Sequence, residues 1–293
     1  MDADTLSAKL KEYAPSNSLE QEHALQEILQ SMVLASLSRA GMFGEAMFHG
    51  GTCLRIVHGM NRFSEDLDFL LKQPDPGFRW TRYLDAVSRD CAMEGIRFEV
   101  LDKSSSDSAV RKAWLKTDSI GTVLAFEMPF ARTTARKIRI KLEVDTRPPA
   151  GSGFETHYLL FPATVPLTTQ DLVSAFATKA HALLCRSYAK GRDWYDFLWF
   201  VSRRVRPRLD VLANALFQQG PWAGQKIAVD ENWFIDQMRE TVRRMDWSLA
   251  VQDVQRFLPL REQEGLSHWD ADFFLYQVDR LGANPQQNNP APS

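Results

Sequence analysis

The sequence predicts an α+β fold: a mixed sheet flanked by helices, followed by a mainly helical C-terminal domain. Three observations lead there. Residues 138–145 alternate strictly, with Ile138, Ile140, Leu142 and Val144 on one side and Arg139, Lys141, Glu143 and Asp145 on the other. That period of two belongs to a strand with one buried face. Leu25, Ile28, Leu29, Met32, Val33 and Leu37 recur at steps of three and four, the stripe of a helix laid on a sheet. Beyond Thr169 the apolar period is mostly helical.

Taken in order, the first long helix spans about 19–40. Ala46-Met47-Phe48 reads as a strand running into His49-Gly50-Gly51-Thr52, a tight turn and helix start that Thr52 can cap. Leu54, Ile56 and Val57 continue a short helix, and Gly59 is suited to end it. Asp66 to Leu71 is the next strand, and Trp80 to Ala92 an amphipathic helix. Ile96–Leu101, Val123–Met128 and Lys137–Asp145 read as further strands before Pro148, Pro149, Gly151 and Gly153 break the pattern. The expected organisation is residues 1–165 as one domain, 166–281 as a helical domain, and 282–293, rich in Asn, Gln and Pro, as a disordered tail.

Composition excludes several classes. At 293 residues, 44% hydrophobic and 25% charged, the chain is long enough for one large or two smaller cores. A net charge of -2 means that any nucleic-acid partner must meet a local basic face. Cys53, Cys91 and Cys185 are widely spaced, which argues against a disulfide framework or a cysteine zinc site. The charged N-terminus is unlike a signal peptide, and no run approaches the ~18 apolar residues of a membrane span, so a cytoplasmic protein is expected.

The chemical signal lies between Phe48 and Phe69. Residues two apart on a strand share a face, so Asp66 and Asp68 present their carboxylates side by side. Such a pair requires a cation, and hard oxygen donors suit Mg²⁺ shared with substrate phosphates. Upstream, Gly50-Gly51 allows backbone N–H groups to approach a phosphate at a helix start, with Thr52 beside them and Ser64-Glu65 adjoining the acids. A phosphate cradle beside paired carboxylates is the minimum apparatus for nucleotidyl transfer. The histidines form no His-x-x-x-His or Cys-His set, so none is expected to ligate metal.

The run His49-Gly50-Gly51-Thr52-Cys53-Leu54-Arg55 through Asn61-Arg62-Phe63-Ser64-Glu65-Asp66-Leu67-Asp68-Phe69 resembles the AbiEii/AbiGii toxin family of nucleotidyltransferases, which includes MenT toxins. The later Phe176–Arg186 run around Lys179, and Gly191–Phe197 with Asp193, resemble its Lys-x-x-Ala-Leu-x-x-Arg and Arg-Asp-x-x-Asp signatures. The resemblance covers about residues 25–200. It implies a polymerase-β-like nucleotidyltransferase fold and a type IV toxin–antitoxin system. It also implies a third metal-binding acid on the strand at 137–145, where Glu143 fits the family's hydrophobic–acid–hydrophobic pattern and Asp145 is the other candidate.

Asp66, Asp68, Glu143, Lys179 and Asp193 are therefore the expected catalytic set. Two Mg²⁺ ions would be held by Asp66, Asp68 and Glu143 or Asp145. Gly50, Gly51, Thr52, Arg62, Ser64 and Lys179 would contact the nucleoside triphosphate, and Asp193 would orient Lys179 or help activate the acceptor hydroxyl. Asp196 would pair with Arg192 or Arg186. The acceptor implied by the resemblance is the tRNA 3′ end, with growth inhibition held in check by an antitoxin protein. Arg203, Arg204, Arg206, Arg208, Arg243 and Arg244 are candidate phosphate contacts, or else a solvated helix face. Modification of a protein or small molecule, and a catalytically silent nucleotide-binding regulator, are the alternatives.

Overall fold

A computed structural model describes residues 3–103, 109–117 and 138–282. The expected strand at 123–128, Lys137 and the tail beyond 282 lie outside the described residues. The chain forms two compact units, residues 1–148 with 154–170, and 149–153 with the remainder from Asp171.

The first unit is built on a seven-stranded mixed sheet. Its strands are β1 (Ala46–His49), β2 (Asp66–Leu71), β3 (Glu99–Asp102), β4 (Val110–Thr117), β5 (Ile138–Asp145), β6 (Phe154–Leu159) and β7 (Val165–Gln170), in the order β3-β4-β5-β2-β1-β7-β6. β2 runs parallel to β5 and β1 parallel to β7, while the other neighbours are antiparallel. Among the described residues, helices α1 (Ala3–Glu12), α2 (Ser18–Arg39), α3 (Gly50–Ile56) and α4 (Thr81–Met93), with a 3₁₀ turn at Met42–Gly44, accompany the sheet. Asn17 caps α2 by accepting the Glu20 N–H at 2.9 Å.

One core joins α1, α2 and α4 to a single sheet face. Leu25, Ile28, Leu29 and Val33 of α2 and Tyr83 and Val87 of α4 pack with Phe48, Leu67, Phe69, Leu71, Ile138, Ile140, Leu142 and Val144. The alternation of β5 thus points its apolar side at the helices, and its charged side at the opposite face. Trp80 donates its indole N–H to the Arg111 carbonyl at 3.1 Å, which satisfies the one polar atom of a fully buried ring.

Three strands were not expected from the sequence. In β4 the inward positions include Arg111 and Thr117, so its alternation carries no clear hydrophobic pattern. Arg111 is buried with its guanidinium donating to the Pro76 carbonyl at 2.9 Å. β6 is an edge strand whose Phe154 and Tyr158 remain exposed, and Pro166 interrupts the pattern of β7. The strand expected from Ile96 begins only at Glu99, because Gly95 at φ 77° ends α4 and the Ile96 N–H returns to the Cys91 carbonyl at 2.9 Å.

Every regular element described in the second unit is helical: α5 (Leu172–Cys185), α6 (Gly191–Ser202), α7 (Leu209–Gln218), α8 (Glu231–Arg244), α9 (Trp247–Gln255), α10 (Leu260–Gln263) and α11 (Ala271–Gly282), with a 3₁₀ turn at Glu264–His268. Asp171, Asp230 and Asp246 each cap the following helix through a backbone N–H at 2.8–3.0 Å. Trp194, Phe197, Trp247 and Phe274 form an aromatic core in which Trp247 stacks on Phe274 at 4.0 Å. α6 meets α9 so closely that a Cβ at Gly191 would collide with the Ala250 carbonyl. No helix among the described residues is long and apolar enough to cross a membrane.

Ile140 is fully buried between β5 and the helices, so Ile140→Ala is expected to cost about 2–5 kcal/mol in urea-induced unfolding of the first unit. A loss below about 1 kcal/mol would mean that β5 does not face this core.

Candidate active site

The parallel pairing of β2 and β5 sets Asp66 against Lys141 and Asp68 against Glu143. All four side chains leave the face opposite the helical core. Asp145 falls two positions further, against Leu70, and its carboxylate accepts the Arg147 backbone N–H at 2.8 Å. From the other side, β4 sets Lys112 against Glu143. Both lysines reach Glu143 at 2.9 Å, one to each carboxylate oxygen.

These contacts divide the acids electrostatically. Burial, then the neighbouring Asp68 charge, pushes the Asp66 carboxyl up to about 6, with Lys141 only partly opposing them. Glu143 is also penalised by burial, but Lys112 and Lys141 outweigh that and hold it below the usual carboxylate range. Lys141 is in turn held in its charged form: the acids Glu143, Asp66 and Asp68 outweigh the burial that would lower it.

The glycine turn abuts this cluster. Gly50 opens α3 at φ 80°, and a Cβ there would stand 2.6 Å from Asp68 Oδ2. A Cβ at Gly51 would collide with the Arg62 guanidinium and stand 2.9 Å from Ser64 Oγ. Glycine is favoured at Gly50 by conformation and by close approach, while a side chain at Gly51 would have to displace Arg62 and Ser64. Arg62 is 2% exposed and donates to the Phe63 carbonyl at 3.0 Å.

Thr52 does not cap the helix as its position suggested. α3 already begins at Gly50, with His49 at the cap position, so Thr52 lies inside it. Its buried hydroxyl donates instead to the Asp66 carbonyl, tying α3 to β2.

The loop before Asp66 is held by side chains that sequence reasoning passed over. Gln30 of α2, fully buried, donates to the Ser64 and Glu65 carbonyls at 3.0 and 2.9 Å. Gln26 donates to the Glu65 and Arg139 carbonyls, both at 3.1 Å, and so joins the loop before β2 to β5. Arg55 pairs with Glu27 at 2.8 Å and donates to the Met60 and Asn61 carbonyls at 3.1 and 2.6 Å. The available signal was a set of polar residues, 26, 27 and 30, interleaved with the apolar stripe of that helix.

The helical unit carries a second polar cluster. Lys179 on α5 meets Asp193 at 3.2 Å and Asp196 at 2.7 Å, and Arg186 meets Asp193 at 2.9 Å. Asp196 joins Lys179, Arg186 meets Asp193, and Arg192 meets Asp253 at 3.5 Å. Asp193 and Asp196 are almost wholly buried, a placement that only such pairing supports. Burial opposes the Asp193 charge, yet Lys179, Lys190 and Arg186 hold its carboxyl well below the usual range.

A family model for the nucleotidyl transferase AbiEii toxin of type IV toxin–antitoxin systems matches residues 33–276, most of the chain. The chain belongs to the AbiEii family. It is a nucleotidyltransferase by that membership, of toxin type. Among solved structures its fold is similar to MenT4, a nucleotidyltransferase toxin from Mycobacterium tuberculosis H37Rv. The two are 18% identical with a TM-score of 0.52, over 94% of this chain and 98% of that one. JHP933 from Helicobacter pylori is 15% identical with a TM-score of 0.49, over 89% of this chain and 94% of that one. No curated protein matches the chain in sequence.

In this AbiEii chain, Gly50, Gly51, Thr52, Arg62, Ser64, Asp66, Asp68 and Glu143 belong to the first unit, and Lys179 and Asp193 to the second. The arginines considered as phosphate contacts are mostly engaged. Arg206 pairs with Glu231, Arg208 with Asp210 at 3.2 Å and Arg244 with Glu240 at 4.0 Å, while Arg203 lies over the Trp199 ring at 4.0 Å.

The depressed Asp193 pKa predicts a pH-dependent stability. A carboxyl held low in the folded state stabilises above its unfolded pKa of about 3.9, and loses that contribution as pH falls through the lower folded value. Asp193→Asn should therefore cost about 3–5 kcal/mol near pH 7 by stranding its cations, with the gap to wild type closing below about pH 4. Thermal unfolding across that range is the check; a pH-independent gap would refute the charge assignment.

Proposed function

We propose that this AbiEii chain is a Mg²⁺-dependent cytoplasmic toxin that transfers a nucleotide from a nucleoside triphosphate to the 3′ end of tRNA. Translation and growth stop as a result, and a cognate antitoxin relieves the block. The observation that carries the chemistry is the register of Asp68 on Glu143, with Asp66 beside them and Gly50 against Asp68.

The donor set fits the ion. Three carboxylates on one face offer only oxygen, the preference of Mg²⁺, and the Asp66 carboxyl, raised first by burial and then by the Asp68 charge, would be favoured in its ionised form by a cation. Asp66, Asp68 and Glu143 would hold it, and Asp145, turned to the Arg147 backbone, is the weaker choice. When bound, Mg²⁺ offsets charge on the triphosphate and makes a hydroxyl a better nucleophile at neutral pH.

The chain's own groups do the rest. The backbone N–H groups at Gly50 and Gly51 receive phosphate oxygens where a side chain would obstruct them. Ser64, and the backbone of Thr52, extend that cradle, and buried Arg62 behind it balances negative charge. The acceptor oxygen joins the α-phosphate as the bond between the α- and β-phosphates breaks, and Lys179 would, by the family resemblance, neutralise phosphate oxygens. Asp193, with its carboxyl held low, is a poor proton acceptor and is better suited to orienting Lys179. Acceptance by tRNA rests on the family resemblance.

Incubation with labelled triphosphates, Mg²⁺ and total tRNA tests this reading. Label is expected at the tRNA 3′ end. Label on protein or a metabolite would replace the acceptor, and binding without transfer would remove the enzyme. Asp66→Ala and Asp68→Ala should each slow transfer on the order of 1000-fold or more, the scale of several kcal/mol of lost charge stabilisation. Either folded variant at full activity contradicts the metal assignment. Lys179→Ala should weaken use of the triphosphate more than of the acceptor, by about 100-fold; unchanged kcat and KM would take it out of the site.

A further inference from the structure

The sheet topology brings together three metal-ligating side chains far apart in sequence. Glu155 and His157 are alternate residues of the edge strand β6 and so share a face. His58 follows the C-terminal end of α3, where Gly59 at φ 70° turns the chain and returns its N–H to the Arg55 carbonyl at 3.2 Å. One donor atom from each of His58, Glu155 and His157 lies within 4.8 Å of the other two. His157 Nε2 already meets Glu155 Oε1 at 2.9 Å, and the two imidazole rings are 5.0 Å apart, edge to face.

This cluster is separate from the proposed Mg²⁺ ligands. Glu155 pairs with Thr169, Thr169 with Phe48, and Phe48 with Phe69. Paired residues share a face, so Glu155 and His157 lie on the Phe69 side of the sheet, while Asp66 and Asp68 leave the other side.

We propose that His58, Glu155 and His157 form a binding site for a divalent transition-metal ion of the zinc class. Two imidazole nitrogens and one carboxylate suit such an ion and suit Mg²⁺ poorly. Zinc holds these donors at about 2.0–2.2 Å, so small rotations of the partly exposed side chains close the triad on one ion. His157 retains 33% side-chain exposure and Glu155 43%, leaving a direction open to water as a fourth ligand. The ion would tie the end of α3 to the sheet edge. The same short helix opens on Gly50 and Gly51, so the clamp would hold the glycine turn from its far end.

The full chain, stripped with a chelator and kept in excess Mg²⁺, should bind one Co²⁺ with a visible absorption band, and Zn²⁺ should displace it. His58→Ala and His157→Ala should weaken Co²⁺ binding at least ~100-fold, the upper end of what losing even an outer partner costs. Glu155→Gln, which keeps the shape of the side chain, provides the same test if an alanine variant fails to fold by circular dichroism. The Asp66→Ala/Asp68→Ala double variant should bind Co²⁺ as wild type does. A wild-type chain that binds no Co²⁺, folded triad variants that bind it normally, or loss of binding in the double aspartate variant would each overturn the proposal.

Discussion

The parallel register between β2 and β5 is the constraint on which the rest of the sheet unit depends. The same strand pair buries Leu67, Phe69, Leu142 and Val144 against the helices and presents Asp66, Asp68, Lys141 and Glu143 on the reverse. A slip of one residue would turn the acids into the core and the apolar side chains out of it. Burial of the apolar face, the larger energy, therefore sets the position of the charged one. The site needs no separate device to align Asp68 with Glu143, because the core has already done so.

Charge is managed differently in the two units. On the sheet, Lys112 and Lys141 answer Glu143, while Asp66 carries the penalty of burial and of Asp68. That arrangement leaves a carboxylate whose ionisation a bound cation would favour. In the helical unit Asp193 and Asp196 are more deeply buried, and Lys179 pairs with both while Arg186 pairs with Asp193. Asp193 and Asp196 are thus paired with side chains of their own unit, whereas Asp66 is opposed only in part, by Lys141.

Much of this was legible in the sequence where a local rule applied. The period of α2, the alternation of β5, the Asp66–Asp68 spacing and the Gly50-Gly51 turn each follow from backbone geometry, and their residues lie where those rules place them. The mixed sheet, the helical second unit and the family agree with expectation. What escaped depended on partners distant in sequence. β4 hid because Arg111 and Thr117 occupy inward positions, and Thr52 read as a cap because its true partner is the Asp66 carbonyl. Gln26 and Gln30 act on loop carbonyls that no helical period predicts. The histidines looked isolated until the edge position of β6 set His157 beside His58.

Asp66, Asp68 and Glu143, joined by strand register, are the proposed cation ligands. Electron paramagnetic resonance of Mn²⁺ binding, in the presence of a non-hydrolysable triphosphate, tests this assignment most directly through Glu143→Gln and Asp145→Asn. Glu143→Gln is expected to lose Mn²⁺ affinity while Asp145→Asn keeps that of wild type. Retention in Glu143→Gln with loss in Asp145→Asn would contradict the register-based site.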